Sequence, residues 1–425
     1  TGNPSMKKAI LLFYFVMIIP ILISCAPQKN GELEVPFINV KDFGAVGDGK
    51  TDDTKAIQKA IEAGSDIYFP EGKYLISDSL EIQSKKINGA GMESTIIYSK
   101  ADAPIFKVSA SFNDIRNLGL QYDGWDQSDY TNRNAIVFED QIAHSVFENL
   151  DIISVYRAFY IDETEGAENY AFSINLRNIY IFWFEKNAIH FNPPYGGLTG
   201  SVLENIYTSN GLRDNRLDSP VIPFVFGKAS EMTLIQLNTE WANIKKAFQI
   251  DYSYNVTMIS PHFEGLDFKE EGGTFFDINH SNLKLIGGRA YHNNIHEQTS
   301  LFKLMENSDI SSDNFYLEDY EQQGEGDLEL FEAVAGDENR LALTQFKTNI
   351  DDLDLNMETL NEDGTPILTR LNDQSFFDGM GVQSFKSLPE PTEAWRGKMI
   401  MLERGSGDQI YVCIKTNGSY EWVEI

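Results

Sequence analysis

Residues 36–76 read PFINVKDFGAVGDGKTDDTKAIQKAIEAGSDIYFPEGKYLI. A short apolar strand through Ile38 and Val40 runs into a turn carrying Gly44, Gly47 and Gly49. Thr51 or Asp52 is the expected helix cap, with Ala56, Ile57, Ala60 and Ile61 forming one apolar face at helical spacing and Gly64 ending the helix. A second strand follows and is broken by Pro70-Glu71-Gly72. Gly44 to Thr51 also satisfies the phosphate-loop pattern GxxxxGK[ST]. That chemistry needs a helix N-terminus open to anions. Asp52 and Asp53 occupy the first turn here, where carboxylates satisfy the dipole and repel a triphosphate. Nucleotide binding is excluded on that ground.

Downstream the chain repeats itself. Ile115-Arg116-Asn117-Leu118, Phe147-Glu148-Asn149-Leu150, Leu176-Arg177-Asn178-Ile179 and Leu203-Glu204-Asn205-Ile206 are one phrase written four times, 27 to 32 residues apart. Met232-Thr233-Leu234-Ile235, Val256-Thr257-Met258-Ile259, Leu283-Lys284-Leu285-Ile286 and a segment opening at Ile310 continue it more faintly. Such a period suits one coil of three short strands and three turns, and alternating apolar residues give each strand one core face. About ten coils are expected, with the four Asn side chains pointing inward and stacked in one turn column, because buried amides must be paired.

The opening resembles the pectate-lyase-like superfamily of right-handed parallel β-helices. The matching residues are Asp42-Phe43-Gly44-Ala45, Gly47-Asp48-Gly49, Thr51-Asp52-Asp53, Ala56-Ile57 and Phe69-Pro70-Glu71-Gly72-Tyr74. The resemblance implies an all-β right-handed parallel β-helix with an N-terminal helix lidding its open end. It also implies an activity among lyases, hydrolases, isomerases or non-catalytic binders of polysaccharide, since one fold hosts many functions. Domain expectations follow: a leader at 1–25, a linker at 26–35, the β-helix at 36–345, an irregular acidic segment and linker at 346–394, and a small C-terminal β module at 395–425.

Met6-Lys7-Lys8 and the apolar run Ala9 to Ile21 form an export signal, with the residues before Met6 read as an upstream extension. Leu22-Ile23-Ser24-Cys25 resembles a bacterial lipobox, which implies lipidation of Cys25 and an exported, outer-membrane-anchored lipoprotein facing the periplasm or the cell surface. With Cys25 modified, only Cys413 remains, and no intramolecular disulfide can form. A net charge of −30 excludes nucleic acid as a partner and disfavours unaided capture of a polyanion. Oligomeric state is left open. Asp352, Asp354 and Asn356 resemble a calcium loop, but Met357 stands where its glycine belongs. The sequence specifies no cofactor and leaves the metal requirement open, with calcium the one candidate. The tail alternates in three or four strand-like runs, from KMIMLERG to YEWVEI.

Aligning the coils by their opening phrases gathers side chains into columns. Asn238, His262, Arg289 and Tyr316 form one; Glu240, Glu264, Tyr291 and Glu318 form another, with Trp241 and His292 beside it. Both offsets are even, so the two columns share a face. Asp123 is expected in the column of Glu240, and Asp123-Gly124-Trp125-Asp126 is a further sugar-binding candidate. Two carboxylates one coil apart cannot both ionise freely, so one pKa is expected to rise toward general-acid use. Arg289 and His262 suit a substrate carboxylate, Tyr291 or His262 a proton transfer, and Trp125, Trp183, Trp241 and Tyr316 the flat faces of sugars. The expected catalytic set is Glu240, Glu264, His262, Arg289 and Tyr291. The expected substrate contacts are Asn238, Trp241, His292, Tyr316, Glu318, Asp123 and Trp125. The expectation is a polysaccharide lyase acting by β-elimination on a uronate-containing chain. The alternatives are a glycoside hydrolase using paired carboxylates and a non-catalytic glycan binder of tailspike type.

Overall fold

A computed structural model describes residues 37–424 apart from 125–129, 162, 164–168, 194–195, 212–219, 334–337, 351–352, 355–360, 362–366, 372–373, 376–382, 386–387, 389, 392–398, 403–408 and 417–418. Cys25, Trp125, Asp352, Asn356 and Met357 lie outside the described residues. From Ile38 onward the chain winds into an all-β right-handed parallel solenoid of about 11 turns. One 30-stranded sheet runs through it, with parallel pairing from coil to coil. The pairing extends to Leu368–Leu371, where Leu341 lies opposite Leu368. A separate four-stranded sheet holds Gln383–Phe385, Met399–Leu402, Gln409–Thr416 and Ser419–Glu424.

The opening motif folds around one buried carboxylate. Asp53 is 0% exposed and accepts hydrogen bonds from the amides of Val46 (2.7 Å) and Gly47 (2.9 Å), pinning the glycine turn. Gly47 lies at φ +71°, and a Cβ there would sit 2.9 Å from the Tyr74 ring, so glycine is required. The helix runs Thr54–Ala63 and adds Ile57, Ala60 and Ile61 to the solenoid core. Its cap differs from expectation. Thr51 belongs to the strand Asp48–Asp52, and Asp53 stands at the N-cap position without a side-chain cap bond. Its carboxylate is spent on the turn, while Asp52 Oδ1 accepts from the Thr54 amide at 3.0 Å. Gly64 does follow the last helical residue.

The repeated phrase is a corner. In Thr233–Glu240 the buried positions are Leu234, Leu237 and Thr239, so the alternation skips one residue at Gln236, which is left-handed at φ 52°. Asn117, Asn149, Asn178 and Asn205 hold the same position at φ 60°, 54°, 51° and 53°. Asn tolerates this conformation better than most residues. Each amide donates to the one a coil earlier: Asn117 to Asn88 (2.8 Å), Asn149 to Asn117 (2.9 Å), Asn178 to Asn149 (3.2 Å) and Asn205 to Asn178 (2.9 Å). The side chains stack as expected but do not point inward. They are half-buried at the outer corner, because the left-handed residue is where the strand turns away from the core.

Inside, Phe224, Phe248, Phe276, Phe302 and Phe331 occupy one position on five consecutive coils. Ring centroids stand 4.7, 5.9 and 5.4 Å apart along the first four. The interior is thus filled by a ladder of stacked rings, which leaves the outward positions of the strands free for function.

Candidate active site

Three consecutive coils present the expected columns. Asn238 pairs with His262 and Glu240 with Glu264; His262 pairs in turn with Arg289, and Glu264 with Tyr291. Arg289 then pairs with Tyr316. Thr239, Phe263 and Ala290 between them are buried, so alternation turns the flanking polar side chains outward.

His262 is the hub. Its Nε2 lies 3.3 Å from Glu264 Oε2 and 3.6 Å from Glu240 Oε1. Each carboxylate is held by a tyrosine: the Tyr207 hydroxyl donates to Glu240 Oε2 at 2.8 Å, and the Tyr291 hydroxyl donates to Glu264 Oε2 at 2.5 Å. The Arg289 guanidinium stacks on the Tyr291 ring at 3.8 Å and pairs with Glu318 at 3.2 Å. His292 packs against Tyr291 (4.7 Å) and faces Asp319 at 3.8 Å. Trp241 is left-handed at φ 51° and lays its ring over Gly265, where a Cβ would come within 2.5 Å of it. Tyr316 accepts from Lys347 Nζ at 2.7 Å.

The protons are distributed differently from the sequence expectation. Burial pushes the Glu264 carboxyl up, but hydrogen bonds from Tyr291 and His262 outweigh it, and its pKa falls below the ordinary value. The expected rise toward a general acid is absent at Glu264, because the hydrogen bonds from Tyr291 and His262 favour its charged form more than the neighbouring carboxylate opposes it. Tyr291 is raised, chiefly by its bond to Glu264. Tyr207 is pushed up to about 12 by burial and by Glu240. Both phenols keep their protons at neutral pH.

Asp123 is not brought to this site. The column of Glu240 runs back through Ser209, Phe182 and Ile153 to Gln121, so Asp123 lies two residues beyond it and four coils away, where it pairs with Lys100 at 3.6 Å. Counting back from coils of unequal length missed the shift. Sequence reading also missed Tyr207, which the pairing Tyr207–Asn238 places one coil earlier in the other column. Its signal was the phrase Leu203-Glu204-Asn205-Ile206-Tyr207, had the register been carried one residue further.

Among the described residues, Glu240, His262 and Glu264 form a group whose ligand atoms all lie within 4.8 Å of one another. Calcium takes six to eight oxygens. An imidazole with two carboxylates already bonded to phenols does not suit it, so no step is drawn through calcium.

Residues 37–175 match the family model described as rhamnogalacturonase A/epimerase, pectate lyase-like. Over that stretch the chain resembles the pectate-lyase-like parallel β-helices. Over 283 residues the chain is 27% identical to mannuronan C5-epimerase AlgE5 of Azotobacter vinelandii, covering 60% of this chain and 24% of that protein. Over 72 residues it is 51% identical to alginate lyase 7 of the same organism, covering 14% of this chain and 8% of that protein. The β-helix therefore spans about a quarter or less of these relatives' lengths. Among solved structures, the tailspike of an Acinetobacter phage superposes with a TM-score of 0.53 at 12% identity, over 92% of this chain and 82% of that one. That likeness is one of fold.

Proposed function

We propose that this β-helix is a polysaccharide lyase that cleaves a uronate-containing chain by β-elimination at the groove of Glu240, His262, Glu264, Arg289 and Tyr291. The observation that carries the reading is the arrangement of one imidazole between two carboxylates beside a protonated phenol and a guanidinium. Arg289, fixed by Tyr291 and Glu318, keeps donors free for the substrate carboxylate and for the charge that grows on it. His262 takes the C5 proton, and Glu240 and Glu264 stabilise the imidazolium that forms. The electron pair from C5–H becomes the C4=C5 double bond, the C4–O bond breaks, and Tyr291 returns a proton to the departing oxygen. The named substrates of the two relatives, mannuronan and alginate, are uronate polymers, which agrees with this class. Export and anchoring through Cys25 belong to the same proposal, since they place the protein where such chains are met.

A polysaccharide panel tests it. Absorbance of the unsaturated uronate should rise together with reducing ends. Reducing ends alone would mean hydrolysis, and neither signal would mean a binder. Glu264→Gln and Tyr291→Phe should each lose activity by about a hundredfold or more while the thermal melt stays within about 0.5 kcal/mol of the parent. Full activity in Glu264→Gln would remove that carboxylate from the mechanism.

A further inference from the structure

Glu240, His262 and Glu264 converge from two coils. His262 and Glu264 stand two residues apart on the strand His262–Glu264 and so share its outward face, while Glu240 lies opposite Glu264 one coil earlier. The result is a triangle of one nitrogen and two oxygens. His262 Nε2 stands 3.3 Å from Glu264 Oε2 and 3.6 Å from Glu240 Oε1, and each of the three groups offers a ligand atom within 4.8 Å of the others. Ligands about 2.0–2.2 Å from a tetrahedral zinc ion stand roughly 3.3–3.6 Å from one another. Both distances at the imidazole fall in that range.

The groups behind the triangle are a second, independent sign. The Tyr207 hydroxyl donates to Glu240 Oε2, which leaves Oε1 turned toward the imidazole. Tyr291 donates to Glu264 and sets its own ring edge-on to the His262 ring, with centroids 5.3 Å apart at 73°. Hydrogen bonds from such outer partners are what orient the carboxylates of a metal site and tune its affinity. The three ligands are half-buried over the buried Thr239 and Phe263, so they are fixed from below and open to water above. Three protein ligands with one open position is a common zinc arrangement.

We infer that Glu240, His262 and Glu264 bind a divalent transition ion of the zinc class, with water in the fourth position, and that the ion switches the groove off. The imidazole nitrogen selects such an ion over calcium or magnesium, whose shells are built of oxygen. Binding stands apart from the lyase reading, and the switch rests on it. A neutral imidazole bound through Nε2 carries its one proton on Nδ1, so no lone pair remains to take the C5 proton. A proton held on Nε2 leaves to solvent as the ion binds. The dication balances the two carboxylates, and no bond of the substrate changes.

Calorimetric titration of the full chain with ZnCl2, after removal of bound ions by EDTA and dialysis, tests this. One ion should bind per chain, and calcium in about a hundredfold excess should not displace it. His262→Ala should abolish the event, while His144→Ala, at an exposed histidine on another coil, should leave it unchanged. Tyr207→Phe keeps all three ligands and should weaken binding about tenfold to a hundredfold by loosening Glu240. Thermal melts check that each variant is folded, and Glu240→Gln, which keeps shape, replaces His262→Ala if the latter unfolds. Co2+ in place of Zn2+ should give the intense visible bands of a four-coordinate ion. A titration unchanged in the ligand variant, displacement by calcium, an unmoved Tyr207→Phe, or the faint bands of six-coordinate cobalt would overturn the site. Where unsaturated uronate is released, saturating Zn2+ should stop it and EDTA restore it, and release that continues at saturation would overturn the switch. Calorimetry uses no substrate, so the ion site and the lyase reading stand or fail separately.

Discussion

Glu185 follows the corner at Trp183 and is half-buried beside Arg133. Burial pushes its carboxyl from 4.5 up to about 7, and the Arg133 charge only partly opposes this. A pKa raised on folding means the native state binds its proton more tightly than the unfolded chain. The resulting stabilisation is complete below pH 4.5 and is lost as the pH climbs through about 7. Glu185→Gln should therefore match the parent at pH 5 and be more stable at pH 8, by about 1 kcal/mol once solvent screening of a half-exposed group is allowed for. Chemical denaturation at the two pH values reads it, and an equal difference at both would remove Glu185 as the cause. Glu264 has the opposite sign, its pKa lowered by the bonds it accepts, so its contribution is present above 4.5 and fades in acid. The two carboxylates show why charge alone did not predict proton location: burial decided Glu185 and accepted hydrogen bonds decided Glu264, a balance that a one-dimensional repeat does not display.

At the scale of the element, the corner and its ladder explain which parts of the coil were legible. Asn117, Asn149, Asn178 and Asn205 announce themselves because one conformational demand, a left-handed residue at a turn, selects the same residue four times. A second ladder went unseen. The amides of Asn113, Ile174, Ala229 and Ser253 bond the side-chain oxygens of Ser145, Ser201, Ser253 and Ser281 on the next coil, at 2.8 to 3.0 Å. Serine is too common in turns for its recurrence to register. The faint later coils still gave the correct pairing of Asn238 with His262 and Arg289, since Leu234, Met258 and Leu285 are buried at matched positions. Across the earlier, longer coils the count slipped by two at Asp123. The corner itself is testable. Asn178→Ala should cost about 2 kcal/mol, one part from left-handed strain and one from the two amide bonds lost. Asn178→Gly keeps the conformation and should recover about half. Equal losses in Ala and Gly, measured by urea denaturation, would show that only the ladder matters.

For the whole molecule, stability is transmitted from coil to coil, because each one touches only its neighbours. The phenylalanine column is where that transmission is concentrated. Phe276 is fully buried, stacks on Phe248 at 5.9 Å and on Phe302 at 5.4 Å, and meets Phe263 and Phe315 edge-on at 5.4 and 5.9 Å. Phe276→Ala opens a cavity shared by three coils and should cost about 3–5 kcal/mol. In a globular core that loss would lower one cooperative transition. In a solenoid it weakens a single link, so the coils on its two sides should part company. Guanidinium unfolding followed by circular dichroism should change from one transition to two. Limited proteolysis at intermediate denaturant should cut first near Gly273–Asn279 and leave the coils before it protected. Phe331, which lies in the same column near its C-terminal end with fewer coils beyond it, should give a smaller and single-step loss when replaced by alanine. A uniform shift of one transition in Phe276→Ala would mean that coupling reaches past adjacent coils, and the nearest-neighbour account of this fold would then fail.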